Sequence, residues 1–156
     1  IRRHLIELKE RLAAEEKEKA ARAAETLDMV AAGEQQPEVE HDFKGEKPQT
    51  GMHQGRHWRD GEWFQYTLDT RGEKHVDLEV TYWGEDKDRS FEIFADSQLI
   101  ATEELKGEHP GEFLRKRYPI PAKVLADARD GKVTIKFVAK EWVAGGVFEV
   151  RLLKGK

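Results

Sequence analysis

Apolar and polar residues alternate in short runs over most of the chain after residue 62. These runs lie at residues 64–68, 76–83, 91–93, 99–101, 113–120, 133–137 and 148–152. Period-two alternation predicts strands that bury one face, and the intervening Gly-Glu, Asp-Ser and Asp-Gly pairs are typical of tight turns. About seven short strands of this kind predict a mostly β protein, with an antiparallel, jelly-roll-like β-sandwich over residues 62–156.

One long N-terminal α-helix is predicted before the sandwich. Residues 1–32 contain no Gly or Pro and are rich in strong helix formers, and Gly33 is a typical C-terminal stop. The apolar stripe from Ile1 to Leu12 is expected to cover a neighbouring domain or a second copy of the chain. A second stripe, from Ala20 to Val30, is expected to pack on the sandwich. Because the chain begins with Ile1 and shows no signal peptide, we expect a segment of a longer protein.

Residues 33–61 form the third predicted unit, an extended linking loop. They include five Gly and two Pro and show no sustained period. Irregular connections of this length usually carry a function or lie over a surface of the domain.

Composition excludes several functional classes. The chain has 27 Lys and Arg against 31 Asp and Glu, a net charge of −4 without a basic block, so nucleic acid is not an expected partner. No apolar run approaches the ~18 residues of a spanning helix, so no membrane partner is expected either. Cysteine is absent, which excludes thiolate catalysis and Cys-ligated zinc. Phosphate-loop, HExxH and GxSxG motifs are also missing, so we predict no catalytic residues, no cofactor and no enzymatic activity.

Tryptophans are the best candidates for ligand contact. The chain contains Trp58, Trp63, Trp83 and Trp142. By alternation, Trp63 and Trp83 lie opposite the core-facing residues of their strands, and the other two lie in or beside loops. Flat aromatic faces stack on sugar rings, and a few polar groups then bind the hydroxyls. The alternative is a second packing surface beneath the N-terminal helix.

Polar side chains are concentrated just before the first predicted strand. His53, Trp58, Arg59 and Asp60 lie close together in sequence and could bind hydroxyls or a carboxylate. They are therefore carbohydrate-binding candidates, together with Trp83 and Trp142. The alternative for Arg59 and Asp60 is a partly buried ion pair that attaches the linking loop to the first strand.

Two patterns of possible metal ligands are weak. His53 and His57 have suitable spacing only on a helix, and the nearby glycines at 51 and 55 disfavour one. A loop that contains Glu85, Asp86 and Asp88 could supply oxygen ligands to calcium. However, basic residues intervene and the EF-hand spacing is absent, so a solvated turn is the favoured interpretation and no metal site is predicted.

Several short motifs occur in an order that is similar to a known family. They are Gly33-Glu-Gln-Gln-Pro-Glu38, Gly55, Trp58-Arg59-Asp60, Trp63-Phe64, Thr81-Tyr-Trp-Gly84, Tyr118-Pro-Ile-Pro121 and Gly145-Gly-Val-Phe148. Together they resemble the C-terminal region of β-L-arabinofuranosidase-type glycoside hydrolases, family 127 and its relatives. One departure is Gly61-Glu62, where relatives tend to have Ala after the Trp-Arg-Asp triplet.

That resemblance implies a non-catalytic domain of a larger sugar hydrolase. The catalytic unit of the family is an upstream (α/α)-barrel with a cysteine nucleophile and a zinc site built on Cys and Glu. This chain has no cysteine and, at 156 residues, is too short to hold the barrel.

Two functional hypotheses follow. The preferred one is an accessory β-sandwich that packs on or positions the catalytic barrel of its parent chain, with a homo-oligomer through the N-terminal helix as a further partner. The alternative is a carbohydrate-binding module that recognises arabinose-containing plant cell-wall glycans through Trp residues. Absence of cysteine is compatible with the cytoplasm and with a bacterial parent that is periplasmic or secreted, so the compartment stays open.

Overall fold

The computed structural model describes residues 1–155. Its helices are α1 (Arg2–Glu25), α2 (Gln35–Glu40) and α3 (Ala122–Asp127), and a 3₁₀ turn follows at Arg129–Gly131. Its strands are β1 (Thr26–Ala31), β2 (Lys44–Glu46), β3 (Gln49–His53), β4 (Arg56–Gly61), β5 (Trp63–Asp69), β6 (Val76–Trp83), β7 (Lys87–Ala95), β8 (Gln98–Lys106), β9 (Phe113–Pro119), β10 (Lys132–Glu141) and β11 (Ala144–Lys154).

The strands form two antiparallel sheets. The six-stranded sheet has the order β3-β4-β11-β6-β9, and β1 also pairs with β11. The five-stranded sheet has the order β2-β5-β10-β7-β8. β6 pairs along one edge of β11. The other edge of β11 is shared by two strands: β4 pairs near Ala144 and Val147, and β1 pairs with residues 149–153.

The core lies between the two sheets, where alternate residues of each strand are buried. In β5, Phe64, Tyr66 and Leu68 are buried, and the intervening residues are half-buried. Tyr82 and Phe91 bring the two sheets into contact, with ring centroids 5.9 Å apart. This arrangement confirms the predicted fold class, a mostly antiparallel β-sandwich preceded by a long helix.

The N-terminal helix ends earlier than predicted. α1 ends at Glu25, and residues 26–31 form β1, in which Leu27 and Val30 are buried against the sandwich. The prediction of a helix to residue 32 was wrong because an open edge of β11 supplies backbone hydrogen-bond partners that the local pattern cannot reveal. α1 itself buries no residue. Within residues 1–155, no helix has both the length and the apolar character needed to cross a membrane.

The segment 33–61 is more regular than the predicted linking loop. It contains α2 and the strands β2, β3 and β4. β3 and β4 form a hairpin whose turn residues Gln54 and Gly55 have φ values of 51° and 74°. Two positive φ values suit the right-handed twist of a tight hairpin. The sheets therefore begin at β1, well before residue 62, which corrects the predicted start of the sandwich.

Candidate functional site

A cavity of about 340 Å³ lies beside the six-stranded sheet, where the β3–β4 hairpin, the end of β6, the start of β7 and β11 meet. Its lining includes His53, Trp58, Asp60, Trp83, Glu85, Asp86, Arg89 and Phe148. We call this the tryptophan cavity.

The absence of a side chain at Gly51 makes room for the Trp58 ring, and Gly146 lies at ordinary contact distance from the same residue. Gly51 is the cross-strand partner of Trp58, and a Cβ atom at position 51 would lie 2.5 Å from Trp58 Cζ2. A Cβ at Gly146 of β11 would lie 3.7 Å from Trp58 Cβ. The indole therefore lies close against the backbone of β3, and any side chain at position 51 would displace it.

Trp83 forms the second aromatic wall. Its ring lies 4.5 Å from the His53 ring and 4.9 Å from the Phe113 ring, measured between centroids. Phe113 in turn contacts Phe148, whose ring centroid is 5.0 Å away. Because His53 and Phe113 both contact Trp83, packing restrains the orientation of the indole.

Three residues that line this cavity each have one buried polar atom without a hydrogen-bond partner. Among residues 1–155, the buried side-chain nitrogen and oxygen atoms without a partner are His53 Nε2, Asp60 Oδ1 and Arg89 Nε, and all three residues line the cavity. An unsatisfied buried polar group costs about 1–3 kcal/mol. A ligand that offers hydrogen bonds to these atoms would remove that cost.

Burial shapes the electrostatics of the site. Asp60 is only 5% exposed, and this burial raises the pKa of its carboxyl despite the attraction of Arg89 and Arg59. Burial likewise raises the pKa of Asp86, against the attraction of Arg89. Asp60 Oδ2 is 3.9 Å from Arg89 Nη1, so the two side chains form only a loose ion pair.

Arg89 is held by two further contacts. Its Nη1 donates a hydrogen bond of 3.1 Å to the Gly145 carbonyl oxygen. Its guanidinium also lies 4.4 Å from the ring centroid of Trp142, a cation–π contact. Trp142 is 68% exposed, so one aromatic surface beside the cavity remains available to a ligand.

The predicted site residues divide into three groups. His53, Trp58, Asp60 and Trp83 line the tryptophan cavity. Trp142 lies next to it and contacts it through Arg89. Arg59 does not line it, because neighbouring residues of a strand point to opposite faces.

Arg59 instead forms an ion pair with Glu38 of α2. Its Nε and Nη2 donate to the two carboxylate oxygens at 3.0 Å and 2.5 Å. Tyr66 Oη and the Gly33 backbone N–H donate to Glu38 Oε2 at 2.6 Å and 3.0 Å. Burial alone would raise the pKa of Glu38, but these hydrogen bonds outweigh it and lower the pKa. The cluster attaches α2 to the sandwich.

The sequence matches a family model over residues 21–153, and that model is described as "Family of unknown function (DUF6805)". The chain belongs to the DUF6805 family. No curated protein matches the sequence.

Solved structures share the fold of this DUF6805 chain. A family 35 carbohydrate binding module from Clostridium thermocellum is 9% identical, with a TM-score of 0.56 and coverage of 73% of this chain and 93% of that one. A family 35 module from an environmental isolate is 15% identical, with a TM-score of 0.54 and coverage of 72% and 86%. CBM35 from Paenibacillus barcinonensis is 8% identical, with a TM-score of 0.53 and coverage of 72% and 93%. At these identities, the likeness establishes the sandwich fold.

Sequence reasoning missed Arg89 as a site residue in this DUF6805 chain. A signal was present, because Arg89 has the same strand parity as the buried residues Phe91 and Ile93 and pairs across the sheet with the buried Leu105. A charged residue at a core-facing position of a strand indicates a buried polar contact.

Trp63 lies on the outer face of the five-stranded sheet, away from the tryptophan cavity. Its Nε1 donates to Glu46 Oε2 at 3.0 Å, and Lys136 Nζ lies 4.5 Å from its ring centroid. A groove of about 580 Å³ lies on the same face and is lined in part by Lys136 and Phe94. None of the unpartnered buried polar atoms found within residues 1–155 belongs to a residue that lines that groove.

The residues weighed as metal ligands do not form a cluster. His53 and His57 lie on the two strands of the β3–β4 hairpin. In the part of the chain that the structure describes, no three His, Asp or Glu side chains are arranged to hold a metal ion. Glu85 Oε2 instead accepts a hydrogen bond of 2.9 Å from the Gly111 backbone N–H.

Proposed function

We propose that this chain is a non-catalytic carbohydrate-binding module whose ligand enters the tryptophan cavity. The observation that carries the proposal is that the unpartnered atoms His53 Nε2, Asp60 Oδ1 and Arg89 Nε all belong to residues that line one cavity with tryptophan walls. Native proteins pair almost all buried polar groups, so three unpaired ones in a single cavity favour a ligand that completes them.

The unpaired atoms suit the chemistry of a sugar. A hydroxyl both donates and accepts hydrogen bonds, so neighbouring hydroxyls can donate to Asp60 Oδ1 and accept from Arg89 Nε–H. His53 Nε2 serves in either role, according to its tautomer. The indoles of Trp58 and Trp83 offer apolar surface for the C–H faces of the ring. At about 340 Å³, the cavity accommodates a short part of a glycan.

The position of the tryptophans favours sugar binding over the packing hypothesis. α1 buries no residue, and its polar link to the body is Arg22, which binds Glu79 and Glu149. Trp58 and Trp83 line an accessible cavity instead of supporting the helix. The sandwich fold, which carbohydrate-binding modules also have, is compatible with this role.

The finer parts of the proposal rest on the motif resemblance. The resemblance to the C-terminal region of family 127 glycoside hydrolases supports a sugar hydrolase as the parent protein. It also makes arabinose-containing plant glycans the first ligands to test. In this proposal, the module raises the local substrate concentration for the catalytic domain.

Tryptophan fluorescence tests the proposal directly. We expect a saturable change when the chain is titrated with arabinose-containing oligosaccharides, and none with unrelated glucans. Trp58→Ala should abolish the change because it removes one aromatic wall, with an expected loss of affinity of at least about tenfold. Trp63→Ala is the matched control, since Trp63 lies on the other sheet.

A flat response to a broad glycan set, with circular dichroism showing a folded protein, would contradict the proposal. Equal losses of affinity in Trp58→Ala and Trp63→Ala would contradict the assignment of the site. Thermal unfolding of both variants provides the check that each has retained its fold.

A packing role through α1 is a second candidate, supported by a separate observation. Leu5, Ile6 and Leu12 are each at least half exposed on α1. Exposed apolar residues on one helix favour contact with a catalytic domain or with a second copy of the chain. Sedimentation velocity tests the homo-oligomer: we expect a dimer that Leu5→Lys with Leu12→Lys converts to monomer. A monomer at all concentrations would contradict self-association.

A further inference from the structure

Carboxyl groups outnumber cations in the tryptophan cavity. Asp60, Glu85 and Asp86 line it, and the cationic side chains are the guanidinium of Arg89 and, when protonated, the imidazole of His53, which attracts Asp86. Arg59, the other cation near Asp60, is engaged by Glu38. The cavity is therefore acidic as well as aromatic.

Arg89 compensates these carboxylates only in part. The Nη1 atom of Arg89 is 3.9 Å from Asp60 Oδ2, and the same atom donates a hydrogen bond to the Gly145 carbonyl oxygen. Asp60 is buried to 5% exposure, and its Oδ1 atom lacks any partner. The raised pKa values of Asp60 and Asp86, both caused mainly by burial, agree with this incomplete compensation. A second positive charge in the cavity would stabilise both carboxylates.

We infer that the sugar residue bound in the tryptophan cavity carries a free amino group. Its ammonium would supply the missing cation between Asp60 and Asp86 and would donate to Asp60 Oδ1. The faces of Trp58 and Trp83 also attract a cation. A uronic acid would instead add a carboxylate to a cavity that already has an excess of them. This inference rests on the carbohydrate-binding function proposed above and gives it a ligand class different from the arabinose-containing glycans that the motif resemblance suggests.

Four monosaccharides with the same pyranose ring and different charge test the inference. Glucosamine, N-acetylglucosamine, glucose and glucuronate are titrated against the whole chain, slightly below neutral pH, with tryptophan fluorescence as the readout. We expect glucosamine to bind at least about tenfold more tightly than N-acetylglucosamine, and glucuronate to bind most weakly. Added salt should weaken the binding of glucosamine and leave that of the neutral N-acetylglucosamine unchanged.

A pair of charge variants locates the effect. Asp86→Asn should reduce the preference for glucosamine over N-acetylglucosamine several-fold, because it removes one carboxylate from the cavity. Asp88→Asn is the matched control, since Asp88 is exposed in the same segment and does not line the cavity. Asp60→Asn provides a second variant within the cavity. Thermal unfolding confirms that each variant is folded.

The outcomes separate this inference from the proposed function. Equal binding of glucosamine and N-acetylglucosamine, or tightest binding of glucuronate, would overturn the inference and leave the carbohydrate-binding function intact. An unchanged preference in both Asp86→Asn and Asp60→Asn would also overturn it. If neither these sugars nor the arabinose-containing oligosaccharides bind, the proposed function fails, and the inference fails with it.

Discussion

At the scale of single residues, Glu38 connects three separate parts of the chain, and nothing in its local sequence indicates this role. It lies on the short helix α2, yet its carboxylate accepts hydrogen bonds from Arg59 on β4, Tyr66 on β5 and the backbone of Gly33. Glu38 is buried and Arg59 largely so, with side-chain exposures of 5% and 12%. Each group therefore depends on the other for compensation of its charge.

Glu38→Gln should destabilise the protein by about 3–5 kcal/mol, because it leaves the buried guanidinium of Arg59 without a counter-charge. Urea unfolding followed by circular dichroism measures the change. Glu40→Gln is the control, because Glu40 is exposed on the same helix and its side chain accepts an exposed hydrogen bond from Gln36. A loss below about 1 kcal/mol would show that the cluster does not support the fold.

The same carboxylate predicts a loss of stability in acid. Burial opposes its ionisation, but the hydrogen bonds and the charge of Arg59 lower the pKa of Glu38 below its usual value of 4.5. The unfolded chain therefore binds a proton before the folded one does. The contribution of Glu38 to stability is complete above the usual pKa and is lost as pH falls through the lowered value.

Urea unfolding from neutral to strongly acidic pH measures this dependence. Glu38→Gln should flatten the acidic limb of the stability profile, and Glu40→Gln should leave it unchanged. Parallel profiles for wild type and Glu38→Gln would contradict the assignment. The lowered pKa of Glu149, whose burial is outweighed by Arg151 and Arg22, contributes in the same direction in all of these proteins.

At the scale of elements, the local sequence pattern predicts the strands that bury alternate residues. It fails for a strand such as β1, which forms by pairing with the free edge of another strand. β5 and β10 alternate regularly and were predicted from the sequence. β1 was not, because Leu27 and Val30 are three residues apart, a spacing that fits a helical stripe and not a regular strand; the register of β1 with β11 shifts between Thr26 and Asp28, next to Leu27. Its pairing with β11 decides between the two.

The link between α1 and the sandwich is polar. Arg22 binds Glu79 of β6 and Glu149 of β11, and Glu149 is also bound by Arg151. These side chains are largely buried on the outer face of the six-stranded sheet. One arginine near the end of the helix thus compensates carboxylates on two neighbouring strands.

Arg22→Ala should destabilise the protein by about 1–3 kcal/mol, because it removes the charge that compensates Glu79. Thermal unfolding measures the effect. Arg11→Ala, at an exposed position of the same helix, should change stability by less than about 0.5 kcal/mol. Equal behaviour of the two variants would show that the helix is not attached through Arg22.

At the scale of the whole molecule, the sandwich and the tryptophan cavity are built from segments distant in sequence. The cavity combines the β3–β4 hairpin with the ends of β6 and β11 and the start of β7. The family match begins at residue 21, close to Arg22 and just before β1. The N-terminal part of α1 contributes neither buried residues nor cavity lining.

Removal of residues 1–20 should therefore change the free energy of unfolding by less than about 1 kcal/mol. Removal through residue 31 should abolish folding, because it deletes β1 together with the buried residues Leu27 and Val30. Circular dichroism and urea unfolding distinguish the two truncations. A folded protein after the longer truncation would contradict the role of β1 in the sandwich.

The sequence by itself determined the two-layer β architecture, since alternation along each strand is a local property that selects one face for burial. It also identified His53, Trp58, Asp60 and Trp83 as residue types suited to sugar contact. Only the tertiary structure decided that these four line one cavity, that Arg59 turns away from it and that Arg89 joins it. Strand pairing brings those residues together through backbone hydrogen bonds, which are nearly independent of side-chain identity and so leave little trace in the local sequence.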